Sequence, residues 1–326
     1  MSDQKPKVAF YWCASCGGCE EAVIDLAEDL LKVVEAVDIV FWPVALDFKK
    51  SDVEAMEDGS IAVSFINGAV RLSEQEEMVK LLRRKSQLVV AFGSCAHLGG
   101  IPGLANFWDK ESIFNRAYHT TPSTDNPEGI VPQEKCTIDG KELYLPSFFN
   151  TVYALDQVID VDYYLPGCAP PRDLIMNAVQ AILEGNLPPK GSVLSPNKAL
   201  CEDCDRNDTK PEKLAIKDIK RPWEVILDPE VCFLAQGVIC LGPATRTGCG
   251  QRCISANMPC RGCFGPTDQV IDMGAKFLAA FASILDADDE SEVEKIVETI
   301  VDPAGTFYRF SLPTSILRRR KMEEKR

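Results

Sequence analysis

Fourteen cysteines in a chain of 326 residues constrain this protein more than any other feature of its sequence. Small secreted disulfide frameworks do not reach this length, and 46% of the residues are hydrophobic, enough to bury a core without covalent staples. No apolar run of 18 or more residues occurs, and the start, MSDQKPKVAF, has no apolar signal region before the first strand-like segment. The expectation is a soluble, cytoplasmic protein whose thiols stay reduced. Cysteines at this density in such a chain usually hold metal. With only two histidines, His97 and His119, the donors must be nearly all thiolate, which selects zinc or iron–sulfur over imidazole-rich catalytic metals.

The formal charge of −14 argues against nucleic acid or an anionic membrane surface as the main partner, because phosphate recognition needs a dominant basic patch. The one basic cluster, RRRKMEEKR at the end, reads as a solvated tail.

Residues 1–190 alternate strand and helix signals. KVAFYW (7–12), DIVFWPVA (38–45), IAVSFI (61–66), QLVVAFG (87–93) and VDYYLPG (161–167) read as strands. Helices are expected over 20–37, over 73–85 with Ser73 as N-cap of a capping box, over 146–159, and over 170–185 between a Pro start and a Gly stop. This alternation implies a doubly wound parallel sheet of the flavodoxin-like kind. In such sheets the working groups gather at the carboxyl ends of the strands. Cys13, Cys16, Cys19, Cys95 and Cys168 each follow a predicted strand, so distant segments converge on one edge. The Gly- and Pro-rich stretch between 99 and 146 reads as an insertion over that edge, and 186–199 as a linker.

Residues 191–326 are expected to form a second, cysteine-rich domain. Segment 200–266 holds eight cysteines and little apolar periodicity, and is expected to be organised by what it binds; helices follow over 268–285 and 291–301. Its cysteines are Cys201, Cys204, Cys232, Cys240, Cys249, Cys253, Cys260 and Cys263, opening with CEDC and closing with CRGC. A CxxC pair brings two thiolates to one centre from a single turn of backbone. Structural zinc and iron–sulfur both suit four-thiolate sites. The glycines beside Cys16, Cys95, Cys168 and Cys249 favour clusters, whose sulfides need close backbone approach and N–H donors. A lone buried thiol is the plain reading of Cys136.

The motifs CGGCE, GSCAHLGG, LPGCAPP and CFLAQGVICLGPATRTGCGQRC...MPCRGCFGP resemble the electron-transferring small subunit of nickel–iron hydrogenases. The likeness covers almost the whole chain and is strongest to the methyl-viologen-reducing, deazaflavin-nonreducing type that works with heterodisulfide reductase. The first domain is similar to the cluster-bearing subunit of quinone oxidoreductases. The resemblance implies three 4Fe-4S clusters: a proximal one on Cys16, Cys19, Cys95 and Cys168, a medial one on Cys249, Cys253, Cys260 and Cys263, and a distal one on Cys201, Cys204, Cys232 and Cys240. It implies a nickel–iron large subunit bearing the active site, and a small iron–sulfur or flavin-linked acceptor near the distal cluster, as in a heterodisulfide reductase complex. The tail GTFYRFSLPTSILRRR offers aromatics for anchoring such a partner.

Two features depart from the family pattern: Cys13, and the paired acids Glu20 and Glu21 after Cys19. Glu20 is a candidate proton relay beside the proximal cluster; the plainer reading is an acid answering the helix dipole. These departures leave open an iron–sulfur subunit of a non-hydrogenase oxidoreductase. His97 reads as a hydrogen-bonding neighbour of Cys95, His119 as a loop residue, and Arg246 as a donor to a cluster sulfide or to a partner.

Overall fold

Apolar runs without polar alternation become the strands of a parallel sheet buried on both faces. The computed structural model describes residues 5–321. In chain order the strands are β1 (Lys7–Trp12), β2 (Asp38–Phe41), β3 (Ile61–Asn67), β4 (Val70–Leu72), β5 (Ser86–Phe92), β6 (Lys135–Ile138), β7 (Lys141–Tyr144), β8 (Phe148–Tyr153), β9 (Tyr163–Leu165) and β10 (Ser192–Val193). The main sheet runs β10-β9-β5-β3-β1-β2 with every pairing parallel. That is the flavodoxin-like order with one further edge strand, and the edge strand comes from the stretch read as a linker.

Helices α1 (Gly18–Ile24), α2 (Glu28–Ala36), α3 (Lys50–Glu54), α4 (Ser73–Lys85), α5 (Ser94–Leu98), α6 (Lys110–Asn115) and α7 (Arg172–Glu184) belong to the first half. Alternation along each strand divides the core between the two sheet faces. Val8, Phe10, Val90 and Phe92 pack with Val23 of α1 and Leu174 and Ile175 of α7. Ala9, Val89 and Ala91 pack with Met78, Val79 and Leu82 of α4.

Several expectations are corrected. Residues 148–153 are a strand, not a helix: β8 runs antiparallel to β4, with Val70 opposite Tyr153. Phe148, Phe149, Thr151, Val152 and Tyr153 suit a pleated surface better than a helical one. Asn106 completes the pairing, accepting from the Val152 amide at 2.8 Å and donating to its carbonyl at 3.0 Å. The helix expected over 20–37 breaks at Ala27, whose φ of 53° cannot continue a right-handed helix. Ser73 is the first residue of α4 rather than its cap. Gln75 accepts from the Leu72 amide at 3.0 Å, while the Ser73 hydroxyl accepts from Ser147 N–H at 3.0 Å.

In the second half the helices are α8 (Arg252–Ser255), α9 (Met273–Ala282), α10 (Glu290–Glu298) and α11 (Pro303–Phe307). This half has an apolar core after all: α9 and α11 bring Phe277, Phe281 and Phe307 against Phe233, Leu234 and Leu241 of the cysteine-rich segment. The tail aromatics serve that core rather than a partner, with Phe307, Tyr308, Phe310 and Leu312 all buried. The tail also grips the first half, where Gly100 N–H donates to the Phe310 carbonyl at 3.0 Å and Gln157 donates to the Pro313 carbonyl at 2.8 Å. Nor is the basic cluster simply solvated. Arg319 donates to the Thr151 hydroxyl and the Arg320 amide to the Asn106 carbonyl; residues 322–326 lie outside the described residues. Among the described residues no helix is long and apolar enough to cross a membrane.

Candidate iron–sulfur centres

The carboxyl ends of β1, β5 and β9 open onto three loops. Gly17 (φ 89°) turns the chain after β1 so that Cys16 precedes α1 and Cys19 lies within it; Gly93 (φ 85°) turns it into α5, which carries Cys95; Gly167 (φ 131°) precedes Cys168. All three glycines adopt backbone angles that a side chain would resist. The four thiols feel one another's charge. Cys19 is pushed up by burial first and then by the negative charge of Cys95, Cys168 and Cys16. Burial, followed by Cys168 and Cys16, pushes Cys95 up to about 12. Cys16 and Cys168 are the exposed members and Cys19 is buried, so the group opens at the sheet edge.

Two glycines form a cradle around these sulfurs. A Cβ on Gly93 would lie 2.4 Å from Cys19 Sγ, and one on Gly100 would lie 2.4 Å from Cys95 Sγ. The Gly18 amide donates to Cys16 Sγ at 3.5 Å, and the Ile101 amide favours the Cys95 thiolate. An all-sulfur donor set, close backbone and N–H donors suit an iron–sulfur cluster.

A second group lines a small cavity: Cys201, Cys204, Cys232 and Cys240. Burial raises Cys201 to about 11, opposed by the positive charge of Lys210, and raises Cys240 to about 12, opposed by the amides of Gly242 and Cys260. Sequence reasoning missed Arg206, which lies against the same cavity over the Phe233 ring and donates to the Ile254 carbonyl at 3.0 Å. Its place two residues after Cys204 was the available signal.

The third group lies between the other two. Cys263 is pushed up to about 12 by burial, with Cys168, Cys249 and Cys253 adding to the rise and the Cys168 amide opposing it. Cys260 is raised by burial and then by Cys240. The Ser94 hydroxyl donates to the Cys263 carbonyl, tying this group to the helix that carries Cys95. Thiols this buried prefer to stay protonated, and iron would take the place of the protons. Among the described residues no three His, Cys, Asp or Glu side chains close around a point suited to one metal ion. The groupings rest on the mutual influence of the thiols and on the cavity they share.

The remaining residues fall outside these groups. Cys13 is buried in the core beneath α4, with its amide donating to the Asn67 carbonyl at 2.8 Å. Cys136 sits half-buried on the β6–β7 hairpin, not in a core. Glu20 is buried, accepting from the Trp42 indole and from Asn67 Nδ2 at 2.6 Å, whereas Glu21 is exposed. Burial raises the Glu20 carboxyl against those two hydrogen bonds. Trp42 and Asn67 were not legible as its partners, since they arrive from the turn after β2 and from the end of β3. His97 lies tilted beside Tyr164, its ring centroid 4.7 Å away, and its Nδ1 finds no hydrogen-bond partner among the described residues. His119 is exposed in the insertion. Arg246 is turned inward, and among the described residues it donates to no thiol. It is 1% exposed and donates to the carbonyls of Pro266 at 3.1 Å and Ser195 at 3.2 Å, and to Asp268, locking the linker to the cysteine-rich segment.

The family described as NADH ubiquinone oxidoreductase, 20 Kd subunit, matches residues 16–182, the span that carries the first thiol group. Beyond it, the iron-sulfur subunit of the F420-non-reducing hydrogenase of Archaeoglobus profundus is 43% identical over 96% of this chain and 98% of its own. The chain belongs to this hydrogenase subunit family. Its counterpart in the F420-non-reducing hydrogenase of Methanothermobacter marburgensis is 38% identical over 96% of each chain. A solved NiFeSe-hydrogenase of Dm. baculatum, 17% identical, shares the fold over 81% of this chain and 95% of that one, with a TM-score of 0.51. As a member of this hydrogenase family the chain is an oxidoreductase subunit.

Proposed function

We propose that this chain is the electron-transfer small subunit of a cytoplasmic nickel–iron hydrogenase, carrying three 4Fe-4S clusters. Cys16, Cys19, Cys95 and Cys168 hold the proximal cluster. Cys249, Cys253, Cys260 and Cys263 hold the medial one, and Cys201, Cys204, Cys232 and Cys240 the distal one. The observation that supports this reading is that cysteines from distant segments feel one another's charge: Cys19 with Cys16, Cys95 and Cys168, and Cys263 with Cys249 and Cys253, while Cys201, Cys204, Cys232 and Cys240 line one cavity. Bound clusters supply one-electron redox chemistry.

The protein's own part is placement and insulation. The influence of Cys168 on Cys263 and of Cys240 on Cys260 supports the order proximal, medial, distal. Gly93 and Gly100 let backbone approach the first group, and amide N–H donors stabilise negative sulfur. The first group opens at Cys16 and Cys168, where a hydrogen-activating large subunit with the nickel–iron site would dock. Glu20, buried next to Cys19, remains a candidate for holding a proton there. An iron–sulfur or flavin-linked acceptor, such as a heterodisulfide reductase complex, would receive the electrons.

Iron and acid-labile sulfide analysis of the purified complex tests the reading, together with hydrogen-dependent dye reduction. About twelve irons per small subunit with matching sulfide is the expected result. Zinc in place of iron overturns the cluster assignment, and iron without hydrogen uptake or nickel overturns the hydrogenase assignment.

A further inference from the structure

We propose that the groove formed by the turns around 219–223 and 259–261 and the segment 299–309 is the docking site for an acidic electron-carrier protein. The groove encloses about 300 Å³ and is lined by Lys220, Arg221, Arg261 and Arg309, with no acidic side chain among its lining residues. In a chain of net charge −14, four cations around one opening are a local reversal of sign. Among the described residues none of the four is in an ion pair. Arg309 is held below its ordinary value by burial and then by the charge of Arg261, which together outweigh the attraction of Asp302. The Asp302 carboxylate is engaged in capping α11, accepting from the Gly305 amide at 2.9 Å. Glu224, the nearest acid in sequence to Arg221, accepts from its backbone amide rather than from its guanidinium.

The rim fits a protein better than a small anion. Trp223 is 76% exposed and Val301 71%, an apolar fringe at the mouth of the groove. Tryptophan and arginine together are the residues on which binding energy concentrates at protein interfaces. An occupant with carboxylates for the cations and an aliphatic or aromatic edge for Trp223 meets both features, and opposite charge would steer its approach. The position fits a carrier. Cys260 lines the groove directly, and Ile239 and Leu241 on its wall flank Cys240, so the occupant lies against the second and third thiol groups. That the occupant is an electron carrier rests on the electron-transfer reading of the chain; that the groove binds an acidic protein does not.

The test is binding without turnover, using the purified native complex and an oxidised flavodoxin of net negative charge as probe, followed by isothermal titration. Wild-type complex should bind with an affinity that falls at least about tenfold as salt rises from about 0.05 M to about 0.5 M. K220E/R221E should weaken low-salt binding by about tenfold or more, with iron content unchanged. K5E/K141E, which alters net charge equally on the first half of the chain, should leave binding near wild type. Absence of binding, or equal weakening in both double variants, overturns the proposal. So does tight binding of ATP or inorganic phosphate to the groove with no flavodoxin binding, which would make it a small-anion site. Because no hydrogen is used, a complex that binds flavodoxin but takes up no hydrogen sinks only the hydrogenase assignment.

Discussion

The amide of Cys260 donates to Cys240 Sγ at 3.3 Å, across twenty residues of sequence. The Cys240 sulfur thus gains a donor from the loop that carries Cys260 and Cys263. The two cysteines are therefore not independent, and a charge on one is felt at the other.

Cys168 and Cys136 should separate cleanly on iron content. Cys168→Ser removes a member of the first group and should lower iron by about four per chain and abolish most electron flow. Cys136→Ser, on the β6–β7 hairpin, should leave iron unchanged; a loss of about four irons there would overturn the ligand assignment.

Gly100→Ala should damage the first group specifically. The added Cβ would sit 2.4 Å from Cys95 Sγ and 2.7 Å from its Cα, at a φ of 61°. We expect a loss of about four irons and a destabilisation of about 2 kcal/mol or more. Gly140→Ala, at φ 75° with nothing within 4 Å, carries only the backbone penalty of about 1 kcal/mol and should keep its iron. Equal iron loss in both variants would remove the cradle argument.

Arg246→Met should destabilise the chain by about 1–3 kcal/mol, because the half-buried carbonyls of Ser195 and Pro266 would lose their donor. Denaturant midpoints measure it. A loss under about 0.5 kcal/mol would show that water replaces the guanidinium easily.

His97 should make the fold acid-sensitive. Burial, aided by the charge of Arg246, holds its imidazole down at about 3, whereas the unfolded chain binds the proton near 6.5. Below about pH 6.5 the unfolded state takes up more protons, so stability present above that pH is lost as pH falls, by up to about 1.4 kcal/mol per unit. Comparing wild type with His97→Phe at pH 7.5 and pH 5 isolates the term. Wild type should lose more stability than the variant over that interval, and equal losses would show that His97 is not responsible.

Glu20→Ala should cost about 1–3 kcal/mol, since the Trp42 indole and Asn67 amide would lose their common acceptor in a buried setting. Thermal melts of the two proteins side by side check it, and unchanged melting would mean that these donors find water.

Much of the fold was legible because its signals are local. The runs KVAFYW, IAVSFI and QLVVAFG have no polar alternation and can only be strands buried on both faces, and the Pro-to-Gly frame of 170–185 became α7. Segment 148–153 was misread because its strand character depends on β4 and on Asn106, neither adjacent to it in sequence. The tail aromatics were misread for a similar reason: exposure is set by what packs on a residue, and Phe277 and Phe281 arrive from α9.

By itself the sequence determined that any metal site must draw on thiolates rather than imidazoles, the parallel sheet and the placing of Cys16, Cys19, Cys95 and Cys168 at strand ends, because residue type, apolar periodicity and glycine turns act over a few bonds. Only the tertiary structure decided that Cys263 lies beside Cys168 and Cys260 beside Cys240, that Glu20 is buried between Trp42 and Asn67, and that Lys220, Arg221, Arg261 and Arg309 share one groove. Those are contacts between segments brought together by burying a common core, and no short-range rule of the chain encodes which segments meet.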